Sequence, residues 1–178
     1  VLAVCISLAG NSSVSRAASR YKIKVNKQKN CVTIYKMNAN GKYKPVKAMV
    51  CSTGAATPVG TFPLGEKMRW HTLIGPCYGQ YCTRIHGGIL FHSVWYYKPS
   101  PSTLSSEAYN RLGTTASHGC VRLTVADAKW IYDNVPSGSP VTVYNSSKPG
   151  PLGKPSGIRL PSSSRWDPTD VWLSLIHI

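Results

Sequence analysis

Acidic residues are scarce in this chain of 178 residues. Six Asp and Glu stand against 21 Lys and Arg, which gives a formal net charge of +15 at pH 7. So positive a field attracts polyanions in general, including nucleic acid, anionic lipid and anionic cell-wall polymers. The basic residues are scattered rather than grouped, and no nucleic-acid motif lies among them. We therefore expect no nucleic-acid partner, which leaves either anionic wall polymers or a merely solvated basic surface.

Long hydrophobic runs are also missing. The N-terminal VLAVCISLAG covers ten residues, about half of what a transmembrane helix needs. It suits the apolar region of a secretory signal, with cleavage after Ala17. Because the chain starts at Val1 without Met or a basic leader, we interpret residues 1–20 as a truncated secretory signal, with an N-terminal core strand as the alternative. We expect an exported protein with no stable membrane span in its mature form.

Internal repeats are absent and helix signals are few. Ser105 and Ser106 before EAYNRL predict a short helix, and TVADAKWIYDNV predicts a longer one with Thr124 as its N-cap. Short β-like runs separated by turns fill most of the remaining sequence: YKIKV, CVTIYKM, YKPVKAMVCS, MRWHTLI, YCTRI, GILFHSVWYY and PVTVYN. This pattern predicts a mainly β fold, a mixed β-sandwich or barrel with one or two short helices.

The composition changes after about Asn145. SSKPGPLGKPSGIRLPSSSR is rich in Pro, Gly and Ser without an apolar period, which predicts a linker or disorder. The final WDPTDVWLSLIHI fits no earlier element, and we interpret it as a fragment of another module or a product of a frame error. The sequence thus divides into a signal (1–20), one folded domain (21–146) and a tail (147–178).

Disulfides are possible in an exported chain, and six cysteines are present. Cys5 lies in the signal. Cys31 and Cys51 flank a hairpin whose turn is near Asn40-Gly41, so a cross-strand bridge is geometrically possible unless the register is displaced by one residue.

Cys77 and Cys82 are separated by four residues, YGQY, and a bridge between them would close a small loop. This pairing leaves Cys120 over, and an odd cysteine in an exported protein is a candidate reactive thiol. A bridge from Cys120 to either of the other two is the alternative that would silence it.

Cys120 lies in SHGCVRL, a stretch that also contains a histidine and an arginine. A cysteine attacks as thiolate, and because free cysteine titrates near about 8.5 it needs a base or positive surroundings. In an extended chain His118 and Arg122 share the strand face of Cys120. Arg122 can raise the local potential or hold a carboxylate. Gly119 leaves room for a substrate carbonyl to approach backbone N–H groups, as an oxyanion hole requires.

A second histidine has to come from another part of the chain. LFHSVW contains His92 followed by Ser93, and RIHGG contains His86 at the same strand parity. Taken alone, a histidine in such a run is more often a core or surface residue than a catalytic one. His71 and His177 have no companions of interest.

A zinc site made of Cys120, His118 and His92 is the chemical alternative. Its His-x-Cys spacing fits the usual ligand spacings poorly, and no fourth ligand is evident. We therefore expect no metal and no other cofactor.

Four stretches together resemble the L,D-transpeptidase catalytic domain (the YkuD-like family) in the right order. The family signature is an upstream His and then Ser/Thr-His-Gly-Cys with an Arg two residues beyond the Cys. The resemblance covers about Tyr21 to Tyr144. Its matching stretches are STGAATPVGTF, LFHSV, Leu112-Gly113 with SHGCVRL, and VADAKWIYDNVPSGSPVTVY.

The resemblance makes 21–146 a catalytic domain of the L,D-transpeptidase type and implies a role for each matching residue. Cys120 would be the nucleophile, His92 the base and the Ser93 carbonyl its orienter. The remaining residues would support the site: His118 in proton handling, Gly119 and Cys120 through oxyanion-hole amides, Arg122 by shaping the site or holding a carboxylate, and Ser117 as part of the motif.

The implied reaction begins on a peptidoglycan tetrapeptide stem, forms a cysteine acyl-enzyme and releases D-Ala. An amine on a second stem would then yield a 3→3 cross-link, whereas water would make the enzyme an L,D-carboxypeptidase. The resemblance also implies a bacterial protein that is cell wall-associated or extracellular, has peptidoglycan stem peptides as partners and is acylated by carbapenems. A non-catalytic cell-wall-binding module is the alternative of a different class.

One interval departs from the family pattern. The distance from His92 to Ser117 is longer than usual, with the excess in YYKPSPSTLSSEAYNR. We interpret the excess as a loop or lid insertion beside the cleft. Because of this departure, His86 remains an alternative to His92 as the base.

Overall fold

The computed structural model describes residues 19–171, so the signal interpretation for residues 1–18 and the end of the tail at 172–178 lie outside the described residues. The described chain forms nine strands, two α-helices and one short 3₁₀ helix. In chain order these are β1 Tyr21–Asn26, β2 Cys31–Met37, β3 Tyr43–Val50, β4 Gly60–Pro63, β5 Lys67–Leu73, β6 Cys77–His86, β7 Ile89–Ser93, the 3₁₀ helix Pro101–Thr103, α1 Ser106–Tyr109, β8 Val121–Leu123, α2 Val125–Asn134 and β9 Pro140–Tyr144.

The first sheet has five strands in the order β3-β2-β1-β9-β4, in which only the β1–β9 pair is parallel. Successive side chains on a strand point to opposite faces of a sheet. In β1, Ile23 and Val25 are therefore buried while Lys22 and Lys24 are exposed. The sheet turns its apolar face inward and its lysines outward.

The second sheet has four strands in the order β5-β6-β7-β8, and β7 and β8 run parallel. Buried side chains from both sheets form one hydrophobic core, to which Ile23, Val32, Phe91, Val121 and Val141 belong. The expected mainly β sandwich with short helices is thus confirmed.

Both predicted helices are present. Thr124 caps α2, with its side-chain oxygen accepting a hydrogen bond from the Asp127 backbone N–H at 3.2 Å. Ser105 caps α1 in the same way through Ala108. The buried face of α2 lies against β6 and β7 and fixes the strands that line the site described below.

The segment after β7 is not a lid. Tyr96, Leu104, Tyr109 and Leu112 are buried, and Tyr96 forms a β-bridge with Leu104. Residues 96–111 are an irregular connection with one 3₁₀ turn and the short helix α1, as expected of a loop, but their apolar side chains enter the core, so the interpretation as a lid is wrong.

Residues 147–171 lie against the domain, unlike the linker or disorder expected up to residue 165 and unlike the fragment of another module or frame-error product expected for the residues after it. Its contacts are mostly polar: Asn110 donates to the Leu160 carbonyl at 2.8 Å, and the Leu104 amide donates to the Arg165 carbonyl at 2.9 Å. Asp167 and Asp170 are buried. Hydrogen bonds of this kind leave no apolar period in the sequence, and the folded unit extends to at least residue 171.

The expected disulfides do not form, and all five cysteines in the described chain are free thiols. Cys31 lies opposite Val50, one residue from Cys51, so the register is displaced by the single residue that rules out a simple cross-strand pair. Cys77 and Cys82 lie on the continuous strand β6, so the small loop they were expected to close does not exist.

Candidate active site

A cavity of about 540 Å³ opens where β5, β6, β7 and the start of β8 meet. Its wall brings together the side chains of five residues expected at a site and adds others that the sequence did not single out. The polar and thiol side chains that line it are His71, Thr72, Cys77, His92, Ser117, His118, Cys120 and Arg122.

The parallel pairing of β7 with β8 brings the expected base, on β7, near the expected nucleophile, which immediately precedes β8. His92 lies directly opposite Arg122 in the register. Cys120 lies two residues before Arg122, and both line the same cavity. The Cys120 thiol is half-buried and faces the Gly88 carbonyl oxygen, 3.7 Å from its sulfur.

The backbone of residues 117–119 is held by the early Thr-Pro segment. A Cβ built on Gly54 would lie 2.3 Å from the carbonyl oxygens of Ser117 and His118, so only glycine allows this approach. Thr57 Oγ1 accepts a hydrogen bond from the Gly54 N–H at 2.8 Å and donates to the Gly119 carbonyl at 2.7 Å. Two stretches distant in sequence thus become one rigid support for the thiol.

Within the motif, Gly119 and Ser117 have separate structural tasks. A Cβ on Gly119 would lie 2.6 Å from Ile89 Cδ1, so a larger residue here would require the Ile89 side chain to move. The Ser117 hydroxyl donates to the Cys120 carbonyl at 2.6 Å. This bond closes a tight turn immediately before β8 and fixes the backbone that carries the thiol.

Arg122 faces the cavity as a half-buried cation. One of its guanidinium nitrogens donates to the Ala116 carbonyl at 2.9 Å. Burial lowers the pKa of Arg122, and the nearby Cys77 and Cys120 thiols act in the opposite direction. The guanidinium therefore contributes positive potential between two thiols of the same cavity.

His92 is buried, with 2% of its surface exposed, and its Nδ1 lies 2.5 Å from the Ser93 carbonyl oxygen. A carbonyl only accepts, so we assign the proton to Nδ1, which leaves Nε2 as the acceptor. Burial lowers the pKa of His92 to about 4; the Ser93 hydrogen bond opposes this shift, and Arg122 and His71 add to it. The imidazole is therefore neutral at pH 7.

The Cys120 thiol is also neutral in the resting site. Burial raises its pKa above the ordinary value, against smaller opposing effects of the Leu90 backbone, Arg122 and Arg84. A neutral thiol and a neutral imidazole in one cavity suit proton transfer during attack, rather than a preformed thiolate–imidazolium pair.

The low pKa of His92 predicts a pH-dependent stability. The unfolded chain binds a proton near the ordinary value of 6.5, whereas the folded chain binds it near 4. Stability is therefore complete above pH 6.5 and falls as the pH drops towards 4, by about 3 kcal/mol from this group. Urea unfolding across this pH range measures the effect.

His92→Gln should remove that part of the pH dependence, and His86→Gln, at an exposed position, should retain it. An identical slope for wild type and His92→Gln would contradict the buried neutral imidazole.

The other histidines are placed differently. His118 is exposed at the rim of the cavity. His86, the alternative base, is exposed at the end of β6, stacks on Phe62 with ring centroids 4.6 Å apart, and is not among the cavity-lining residues. His71, which the sequence reading set aside, lines the cavity from β5.

Sequence reasoning missed the contacts that surround the base. His71 lies opposite Gly79 in the β5–β6 register, and a Cβ on Gly79 would lie 3.0 Å from His92 Nδ1. The glycine inside the run CYGQYC was the available signal, because glycine in a strand marks a close approach. Cys77 was missed as a cavity residue because it was assigned to a loop.

Among residues 19–171, no group of three His, Cys, Asp or Glu side chains is arranged to hold a metal ion. In the same part of the chain, no helix has the length and apolar character needed to cross a membrane.

Comparisons with known proteins agree with this architecture. The family model of the L,D-transpeptidase catalytic domain (YkuD) matches residues 20–143. YciB of Bacillus subtilis, named as an L,D-transpeptidase, is 44% identical over 92 residues, which cover 49% of this chain and 46% of YciB. The chain thus spans about half the length of this curated relative.

Two solved structures show the same fold. An L,D-transpeptidase from Mycobacterium tuberculosis is 26% identical, with a TM-score of 0.53 over 71% of this chain and 58% of its own. The L,D-transpeptidase LdtMt1 in complex with imipenem is 23% identical, with a TM-score of 0.56 over 71% of this chain and 59% of its own.

The two mixed sheets are thus those of the L,D-transpeptidase fold. With the family model matched over more than half of its length, the chain belongs to the L,D-transpeptidase catalytic-domain (YkuD) family.

Proposed function

We propose that the protein is a peptidoglycan L,D-transpeptidase that works through an acyl-enzyme on Cys120 and forms 3→3 cross-links. One observation carries this proposal: a buried His92 imidazole on β7 and a half-buried Cys120 thiol immediately before the paired strand β8 line one cavity. Membership of the family supports the same chemistry.

In the first step, His92 Nε2 takes the proton of the Cys120 thiol as the sulfur attacks the carbonyl carbon of the third stem residue. The N–H groups of Gly119 and Cys120 hold the oxyanion that develops. The tetrahedral intermediate then collapses, the C–N bond to D-Ala breaks, and His92 returns its proton to the leaving amine. A thioester on Cys120 and free D-Ala result.

In the second step, an amine of another stem attacks the thioester carbon, and its proton passes to the Cys120 sulfur by way of His92. An amide cross-link forms and the thiol is regenerated. Water in place of the amine would give the L,D-carboxypeptidase reaction. Arg122, facing the cavity, is suited to a substrate carboxylate, and His118 at the rim to handling protons with solvent.

The surroundings of the enzyme follow from the same proposal. Peptidoglycan lies outside the cell membrane, so the protein acts after export, in or near the wall. Its charge of +15 suits docking on anionic wall polymers. Wall binding that persists at high salt would contradict an electrostatic contact.

Incubation with purified tetrapeptide muropeptides tests the function directly. Mass spectrometry should show loss of D-Ala with formation of cross-linked dimers. Loss of D-Ala without dimers would identify the carboxypeptidase. Neither product, together with no covalent adduct from imipenem, would contradict an enzyme and favour a wall-binding module.

A further inference from the structure

We propose that the C-terminal segment 165–171 belongs to the catalytic unit, because Asp170 positions the His92 imidazole through Gln80 and Ser93. The inference rests on the proposed role of His92 as the base. This segment lies beyond the region that the family model matches, which ends at residue 143.

The link begins with two buried polar side chains. The Gln80 side-chain amide donates to Asp170 Oδ2 at 3.0 Å, and the two residues are 0% and 3% exposed. A buried carboxylate requires such partners, since an unpaired one is costly to desolvate. This bond fixes the C-terminal segment to the middle of β6.

From Gln80 the contacts continue to the residue that orients the base. The Gln80 backbone N–H donates to Ser93 Oγ at 2.9 Å, and the Ser93 hydroxyl donates to the Val94 carbonyl at 2.8 Å. The carbonyl of the same Ser93 accepts the bond from His92 Nδ1. Gln80 therefore fixes Ser93 through its hydroxyl oxygen, and Ser93 in turn orients the imidazole of His92 through its carbonyl oxygen.

A second contact joins the same part of β6 to the imidazole. Gly79, adjacent to Gln80, packs against the ring of His92, since a Cβ there would lie 3.0–3.1 Å from three of its atoms. A displacement of residues 79–80 would thus disturb both the ring packing and the Ser93 hydrogen bond. Asp170 opposes that displacement from the far end of the Gln80 side chain.

Several charged or titratable groups lie near Asp170 and His92, the two ends of the chain of contacts that runs through Gln80 and Ser93. Arg122 on β8 and His71 on β5 act on His92. Asp167 and the buried Tyr96 lie near Asp170, and the Tyr96 hydroxyl lies against the Gln80 side chain.

Two neighbours of Asp170 have a different task and provide matched controls. Asp167 Oδ2 accepts from the Val125 N–H at 2.8 Å, and Thr169 Oγ1 accepts from the Ala126 N–H at 3.0 Å. Both bonds satisfy free amides at the first turn of α2, as capping groups do. They stabilise the fold without contact to the site.

The test compares Asp170→Ala, Asp170→Asn and Thr169→Ala in the full chain, with imipenem as the acylating probe. The rate of adduct formation is measured against imipenem concentration and between pH 3 and pH 9. Asp170→Ala should lower the saturating rate by about 10-fold to 100-fold, since small misplacements of a catalytic group have effects of this size. The concentration giving half of the saturating rate should change little.

The pH dependence of the acylation rate distinguishes a role of Asp170 in positioning His92 from a role in folding alone. Loss of the Ser93 hydrogen bond removes a contribution that raises the pKa of His92, so the acidic limb should move to lower pH in Asp170→Ala. Asp170→Asn retains an acceptor oxygen and should stay within a few-fold of the wild-type rate. Thr169→Ala should lower the melting temperature yet keep the wild-type profile and rate.

A wild-type rate and profile in Asp170→Ala would overturn the inference, as would the same changes in Thr169→Ala. If Asp170→Ala is unfolded by circular dichroism, Gln80→Met removes the link from its other end and decides the question by the same two readouts. Wild-type protein that imipenem fails to acylate would instead contradict the proposed function.

Discussion

Cys120→Ser is expected to reduce turnover of tetrapeptide stems by roughly 10⁶-fold, the size of loss that removal of a catalytic nucleophile produces. It should also abolish the covalent imipenem adduct. A serine hydroxyl ionises far less readily than a thiol, and the neutral His92 in the same cavity is a weak base with a pKa of about 4. The protein should remain folded, since the half-buried thiol donates only weakly to the Gly88 carbonyl and serine is similar in size to cysteine.

Mass spectrometry of the intact protein and of its peptides measures the adduct and locates it. Cys31→Ala is the matched control, because Cys31 is a buried thiol on β2 outside the cavity and should be dispensable for turnover. An adduct that persists in Cys120→Ser would place the nucleophile elsewhere.

Thiol labelling under non-reducing conditions checks the state of the nucleophile separately. The described cysteines are free, so Cys120 should react with an alkylating reagent and the rate should rise with pH as the thiol ionises. A Cys120 that is blocked in the protein as isolated would contradict the free thiol on which the mechanism depends.

Much of the fold could be predicted because local chemistry determines it. Alternating lysines and aliphatic residues specify β1, and the Thr124 cap with its following apolar face specifies α2. The strands β4 and β8 were not predicted, because four and three residues are too few to show a period. Both are fixed by pairing with distant strands.

The same distinction between local and long-range features applies to the site. The motifs SHGCVRL and LFHSV could be recognised because each consists of consecutive residues. The parallel register that sets His92 opposite Arg122 is a long-range pairing, which no local pattern specifies. The contacts of the C-terminal segment could not be predicted for a related reason: Asp170 contacts β6 through a polar side chain, and the stretch around it, which begins at Trp166, was interpreted as a fragment of another module or a frame error.

The choice between two histidines gives the second large prediction. His92→Ala should lower turnover and imipenem acylation by roughly 10²-fold to 10⁴-fold, the usual contribution of a general base. Its imidazole is neutral, is held at Nδ1 by the Ser93 carbonyl and lines the same cavity as the Cys120 thiol. The measurement is the rate of D-Ala release under saturating stem peptide, with circular dichroism to verify folding.

His86→Ala is the matched control, since it removes a histidine of the same strand parity from the same sheet. His86 is exposed and stacks on Phe62 away from the cavity, so its loss should leave turnover within about two-fold, as surface substitutions do. A greater loss in His86→Ala than in His92→Ala would mean that the base has been assigned to the wrong histidine. Because Asp170 acts through the His92 imidazole, that result would also remove the reason for the Asp170–Gln80 link to affect the pH profile.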